Sequence, residues 1–248
     1  MIILWIFIFS LLGSIGAIAG AALMLALPAV IRGRLLPYLI SYATGTLLGA
    51  AFLGMIPAAL EQSAAREILT TVLAGIVLFF ILEKLVLWRH CHDSECMVHS
   101  QAAPLILVGD AFHNFVDGVV IAAAFLISIP LGVGTAIAVI AHEVPQEIGD
   151  FAILLESGYS RYKALVLNTL SAATTLPGAI LAYFWLENTR TLVPYILALS
   201  AASFIYIATA DLVPNLHRRV KLKDAVYQIA LILLGIGTIA LLRVGHAG

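Results

Sequence analysis

The chain has 248 residues, of which 62% are hydrophobic and only 11% charged, and its formal net charge is −1. Soluble domains run at about a quarter charged, so an ordinary soluble protein is excluded. The near-neutral balance leaves no electrostatic footprint for nucleic acid.

A hydrocarbon core of roughly 30 Å takes about 20 apolar residues per helix. Apolar runs broken by Gly, Pro and charge predict eight transmembrane helices, over 2–31, 36–60, 68–88, 104–127, 131–156, 164–186, 192–212 and 225–242. The first run begins at Met1 with no basic stretch before it and ends at Arg32 and Arg34, so it reads as a span and not as a cleaved signal. The expected class is therefore an all-α polytopic membrane protein. Connections this short leave no room for a second folded domain, so residues 1–248 are expected to form one transmembrane unit in the lipid bilayer.

Orientation follows from the excess of Lys and Arg in cytoplasmic loops. With both termini outside, Arg32, Arg34, Lys84, Arg89, Arg161, Lys163, Arg218, Arg219, Lys221 and Lys223 lie inside, and only Arg66, Arg190 and Arg243 lie outside. Three helices, a polar central pair and three more helices suggest an inverted 3+2+3 repeat with a site near the midplane. The loop 89–103 between the third and fourth helices is expected in the cytoplasm. It holds His90, Cys91, His92, Asp93, Cys96 and His99, a density of ligand types that could capture metal. A disulfide between its two cysteines is not expected in that compartment.

Ionisable side chains inside a bilayer are costly, and here they gather in two helices. The fourth carries Asp110, His113, Asn114 and Asp117 in VGDAFHNFVDGVVIA, on one helical stripe. The fifth carries His142, Glu143, Gln146, Glu147 and Asp150 in IAHEVPQEIGDFAIL. Imidazole nitrogen mixed with carboxylate and amide oxygen suits Zn²⁺, Fe²⁺ or Mn²⁺ better than Cu(I), which favours sulfur. Such a set could hold one ion or two adjacent ions, with Asp117 and Gln146 placed to reach both. Pro145 frees the carbonyl of Ala141 beside His142, and Gly118 and Gly149 flank the polar stripes. A lone intramembrane His or Asp could instead serve only as a hydrogen bond between helices.

The motifs HNFVDG and HEVPQEIGD resemble those of the ZIP (Zrt/Irt-like) family of divalent metal transporters, in particular a bacterial member of the subfamily with His-Glu-x-Pro-His-Glu. That resemblance implies a binuclear site in which His113, Asp117, His142 and Gln146 match the first metal position and Asn114, Asp117, Glu143 and Gln146 the second. It implies uptake of zinc, or of cadmium, iron or manganese, across a bacterial inner membrane into the cytoplasm by a homodimer. Glu147 and Asp150 then become exit groups or supports for the ligands, with Asp110 beside them.

The sequence departs from the pattern at Gln146, where the subfamily has histidine, which bears on ion preference. In the second helix Gly54, Pro57 and Ala58 replace a His-x-x-Pro-Glu segment, leaving Met55 as a thioether nearby or as a gap filler. Asp211 and Pro214 resemble an Asp-x-x-Pro segment, and Asn168 and Ser171 lie one turn apart where they could line a path. Competing readings are an intramembrane metal-dependent hydrolase and a metal sensor that does not transport. The hydrolase signature His-Glu-x-x-His is incomplete, because Gln146 stands in the second histidine's place. No enzymatic activity is expected.

Overall fold

The computed structural model describes residues 1–90, 102–217 and 222–244. Among them no strand occurs, and eight long helices follow one another. They are α1 (Ile2–Ala26), α2 (Ala29–Leu60), α3 (Ala65–His90), α4 (Ala102–Ile127), α5 (Ile129–Glu156), α6 (Arg161–Asn188), α7 (Arg190–His217) and α8 (Leu222–Val244). Seven are long and apolar enough to cross a membrane by length and composition alone. The exception is α5, whose apolarity is lowered by His142, Glu143, Gln146, Glu147 and Asp150. Packing resolves that cost, since α5 is enclosed by α1, α2, α4, α6 and α8.

One boundary differs from the sequence expectation. The first helix stops at Ala26 instead of running to 31, because Leu27 precedes Pro28 and takes an extended conformation (φ −74°, ψ 149°). Pro28 then caps α2, so Arg32 lies in a helix and not in a loop. The join between α4 and α5 is a single extended residue, Ser128, whose Oγ accepts a hydrogen bond from the Leu131 backbone N–H at 3.3 Å. That tight turn forces the two polar helices to lie side by side.

The helix pairings carry the repeat. The most extensive contacts are α4 with α6, α1 with α5, α2 with α8 and α3 with α7. Exchanging helices 1–3 with 6–8, and α4 with α5, turns the first pair into the second and the third into the fourth. The local distortions obey the same exchange. In α2 a π-helical stretch Ala50–Met55 precedes Pro57, and in α7 a π-helical stretch Ile207–Leu212 precedes Pro214 at the same spacing. A proline removes one helical donor and crowds the preceding turn, and a wider π turn accommodates both effects.

Close approach at the α4–α6 seam depends on Gly118 and Gly178. A Cβ on either would strike backbone of the facing helix, Thr175 for the first and Phe115 for the second. Gly149 is different: nothing lies within 4 Å of where its Cβ would be, so it provides no close contact.

Candidate metal centre

The polar stripes of α4 and α5 face each other inside the bundle. His142, Glu143 and Asp117 are each 1% exposed. The Nδ1 of His142 donates to the Ala138 carbonyl at 2.9 Å, one turn earlier on its own helix. A carbonyl only accepts, so Nδ1 carries the proton and the lone pair of Nε2 points into the cluster. Phe204 of α7 packs edge-on against the same ring, with centroids 5.8 Å apart.

Around that lone pair stand His113 Nε2 at 3.2 Å, Asp117 Oδ2 at 3.3 Å and Glu143 Oε1 at 3.7 Å. His113 Nε2 is in turn 3.8 Å from Asp117 Oδ2 and 3.4 Å from Glu143 Oε1. Ligands about 2.0–2.1 Å from a tetrahedral zinc ion lie about 3.3 Å from one another, which is the spacing these four atoms keep. Asp117 Oδ2 and both oxygens of Glu143 are buried with no hydrogen-bond partner. Buried carboxylate oxygens without donors are costly unless a cation meets them, so the chemistry of the set fits a divalent ion.

A second group adjoins the first through Glu143. One oxygen each of Asp110, Glu143 and Glu147 lies within 4.8 Å of the others. Asp110 Oδ1 accepts from Asn114 Nδ2 at 3.1 Å and from Gln146 Nε2 at 3.2 Å, while Oδ2 has no partner. Both oxygens of the fully buried Glu147 also lack one. This group offers only oxygen, whereas the first mixes nitrogen and oxygen.

The structure thus sorts the sequence candidates. His113, Asp117, His142 and Glu143 come together, and Asp110 joins Glu143 and Glu147. Asn114 and Gln146 turn their amide nitrogens onto Asp110. Asn114 is further held by Thr175 of α6, whose hydroxyl donates to Asn114 Oδ1 at 3.1 Å. Asn168 Nδ2 donates to the Glu147 carbonyl at 3.2 Å, and Ser171 bonds within its own helix, to the Leu167 and Asn168 carbonyls. Asp150 is half-buried, one turn beyond Glu147.

Other candidates lie apart. Asp211 is exposed in the π-helical stretch of α7 and belongs to neither ligand group. Met55 is fully buried within the main apolar core. Cys91, His92, Asp93, Cys96 and His99 lie outside the described residues, as does the side chain of His90. Two contributors were missed by sequence reasoning, Thr175 and Phe204. Neither has a motif, and only the crossing of α6 and α7 over the polar pair brings them in.

An eight-helix bundle with a buried nitrogen and oxygen cluster between its two central helices defines an integral membrane protein built to hold a cation within the bilayer. The profile of the ZIP Zinc transporter family matches residues 88–243. The chain belongs to that family. It is 31% identical to zinc transporter ZIP13 of Pongo abelii over 217 residues, covering 81% of this chain and 65% of that protein. Zinc transporter ZIP10 of Danio rerio is 35% identical over 147 residues, 56% of this chain and 17% of that protein. Zinc transporter zipt-7.2 of Caenorhabditis elegans is 39% identical over 138 residues, 54% of this chain and 30% of that protein. The chain therefore spans less than two thirds of the length of each of these relatives.

Proposed function

We propose that this protein carries divalent cations, zinc foremost, across a membrane into the cytoplasm, and that it is not an enzyme. The observation that carries this reading is the convergence of His113, Asp117, His142 and Glu143 at zinc-ligand spacing, with three of their oxygens otherwise unpartnered. The relatives' names, all of them zinc transporters, support the choice of ion. The hydrolase alternative gains nothing from the geometry, since Gln146 spends its amide on Asp110 and offers no second imidazole.

In this reading the centre is binuclear. The first ion sheds water onto the four mixed ligands, and the second binds the carboxylates of Asp110, Glu143 and Glu147, with Glu143 shared and Asn114 and Gln146 holding Asp110 in place. Asp150 continues the carboxylate line toward the end of the bundle that bears Arg32 and Arg161. The excess of Lys and Arg at that end supports a cytoplasmic assignment and external termini. The resemblance to bacterial members supports an inner-membrane homodimer in which the whole chain is one transporting unit.

The deciding experiment is ion-by-ion uptake into proteoliposomes, comparing zinc, cadmium, iron and manganese. Saturable zinc entry that falls at least tenfold in both His113→Ala and Glu143→Ala is expected. Uptake at the wild-type rate in both variants would sink the site, and binding without flux of any ion would favour a sensor. Gln146→His restores the subfamily's imidazole and should change the order of ion preference.

A further inference from the structure

The metal reading leaves unused an apolar cleft where α1, α5 and α6 meet. Its volume is about 510 Å³, within the range of roughly 300–1,000 Å³ typical of ligand pockets. Leu25, Phe151, Leu155 and Leu165 form its walls, and Arg32 and Arg161 stand along it. Arg161 opens α6 and Arg32 lies in the first turn of α2, so both belong to the end of the bundle where α1 and α5 finish. Tyr162, also on the cleft, is 79% exposed. An aromatic residue with a polar tip, set beside arginines at a helix end, marks the depth of lipid headgroups.

The two guanidinium groups have no internal counter-charge. Every ion pair among the described residues involves His113 or His142, and neither arginine has a carboxylate within pairing distance. The Nη1 of Arg32 donates to the Leu25 carbonyl at 3.5 Å, which folds its side chain back over the end of α1 and along the cleft. A cleft with hydrocarbon walls and two unneutralised cations at an interfacial end is complementary to a molecule with an apolar tail and an anionic head.

We propose that this cleft binds an anionic phospholipid, with its phosphate between Arg32 and Arg161 and an acyl chain against Leu25, Phe151, Leu155 and Leu165. Basic pockets between transmembrane helices recognise anionic headgroups in this way. A zwitterionic lipid brings its own cation against the arginines, so the site discriminates by headgroup charge. The inference is independent of metal transport, because neither arginine touches the ligand cluster.

The test uses the full chain in detergent micelles, titrated with phosphatidylglycerol or with phosphatidylcholine of the same acyl chains and read by native mass spectrometry. Wild type is expected to retain phosphatidylglycerol with a preference of roughly tenfold. The double variant Arg32→Gln/Arg161→Gln should lose that preference, and the control Arg66→Gln/Arg190→Gln, altered at the opposite end, should keep it. Zinc binding at the wild-type level reports that each variant is folded. Equal retention of the two lipids by wild type would overturn the proposal, as would an undiminished preference in Arg32→Gln/Arg161→Gln.

Discussion

Thr175 on α6 donates its hydroxyl to Asn114 Oδ1 on α4 at 3.1 Å, and the same amide donates through Nδ2 to Asp110. A helix outside the polar pair therefore sets the orientation of a carboxylate within it. Asn114, which the resemblance offers as a ligand, has both ends of its amide engaged in this bracket.

Replacing Thr175 by Val removes the donor and leaves Asn114 Oδ1 buried and unpaired, at a cost of about 1–3 kcal/mol. The expected outcome is a lowered melting temperature in detergent, with loss of uptake beyond what the stability change explains because Asp110 is no longer held. An unchanged melting temperature would show that the bracket carries no energy.

The His142 ring is fixed from two sides, by the Ala138 carbonyl and by Phe204. Groups that orient a metal ligand are typically worth about 10–100-fold in metal affinity. Phe204→Ala should weaken zinc binding by about that factor while leaving all four ligands in the chain, and isothermal titration of the purified protein checks it. Affinity within twofold of wild type would mean that the Ala138 hydrogen bond alone suffices.

Metal binding needs both imidazoles unprotonated, so loading releases protons and weakens in acid. Zinc affinity should therefore fall as pH drops from about 7.5 to about 5.5, across the ordinary histidine range near 6.5. His113→Asn should flatten that dependence, since one of the two imidazoles is gone. Parallel pH profiles in wild type and variant would remove His113 from the titrating set.

The two glycines flanking the polar stripes should respond in opposite ways. Gly118→Ala drives a Cβ into the Thr175 backbone, and overpacking of this kind costs about 1–3 kcal/mol. Gly149→Ala meets open space within a helix and should be neutral or stabilising, by about 0.5–1 kcal/mol. Thermal melts of the two variants decide it, and equal destabilisation would contradict the α4–α6 seam described above.

Much of this was legible in the sequence because a bilayer simplifies the problem. Each span must satisfy its own backbone hydrogen bonds, so the composition determined eight helices, and the cost of buried charge singled out α4 and α5. The end of α1 was misread because the effect of Pro28 on Leu27 is local backbone sterics, which hydropathy does not register. Gly118 and Gly149 look alike in the sequence, but only the first faces another helix.

The sequence by itself determined the helical class, the polar pair and the ligand types. Tertiary structure decided the partition: His113, Asp117, His142 and Glu143 as one group, Asp110 with Glu143 and Glu147 as another, and Asn114 and Gln146 as the amides that hold Asp110. The physical reason is that spacing along a helix states which residues share a face, whereas coordination depends on distances of 3–4 Å between atoms on different helices. Those distances are set by how closely α4, α5, α6 and α7 pack, through contacts such as Gly118 against Thr175 and Phe204 against His142.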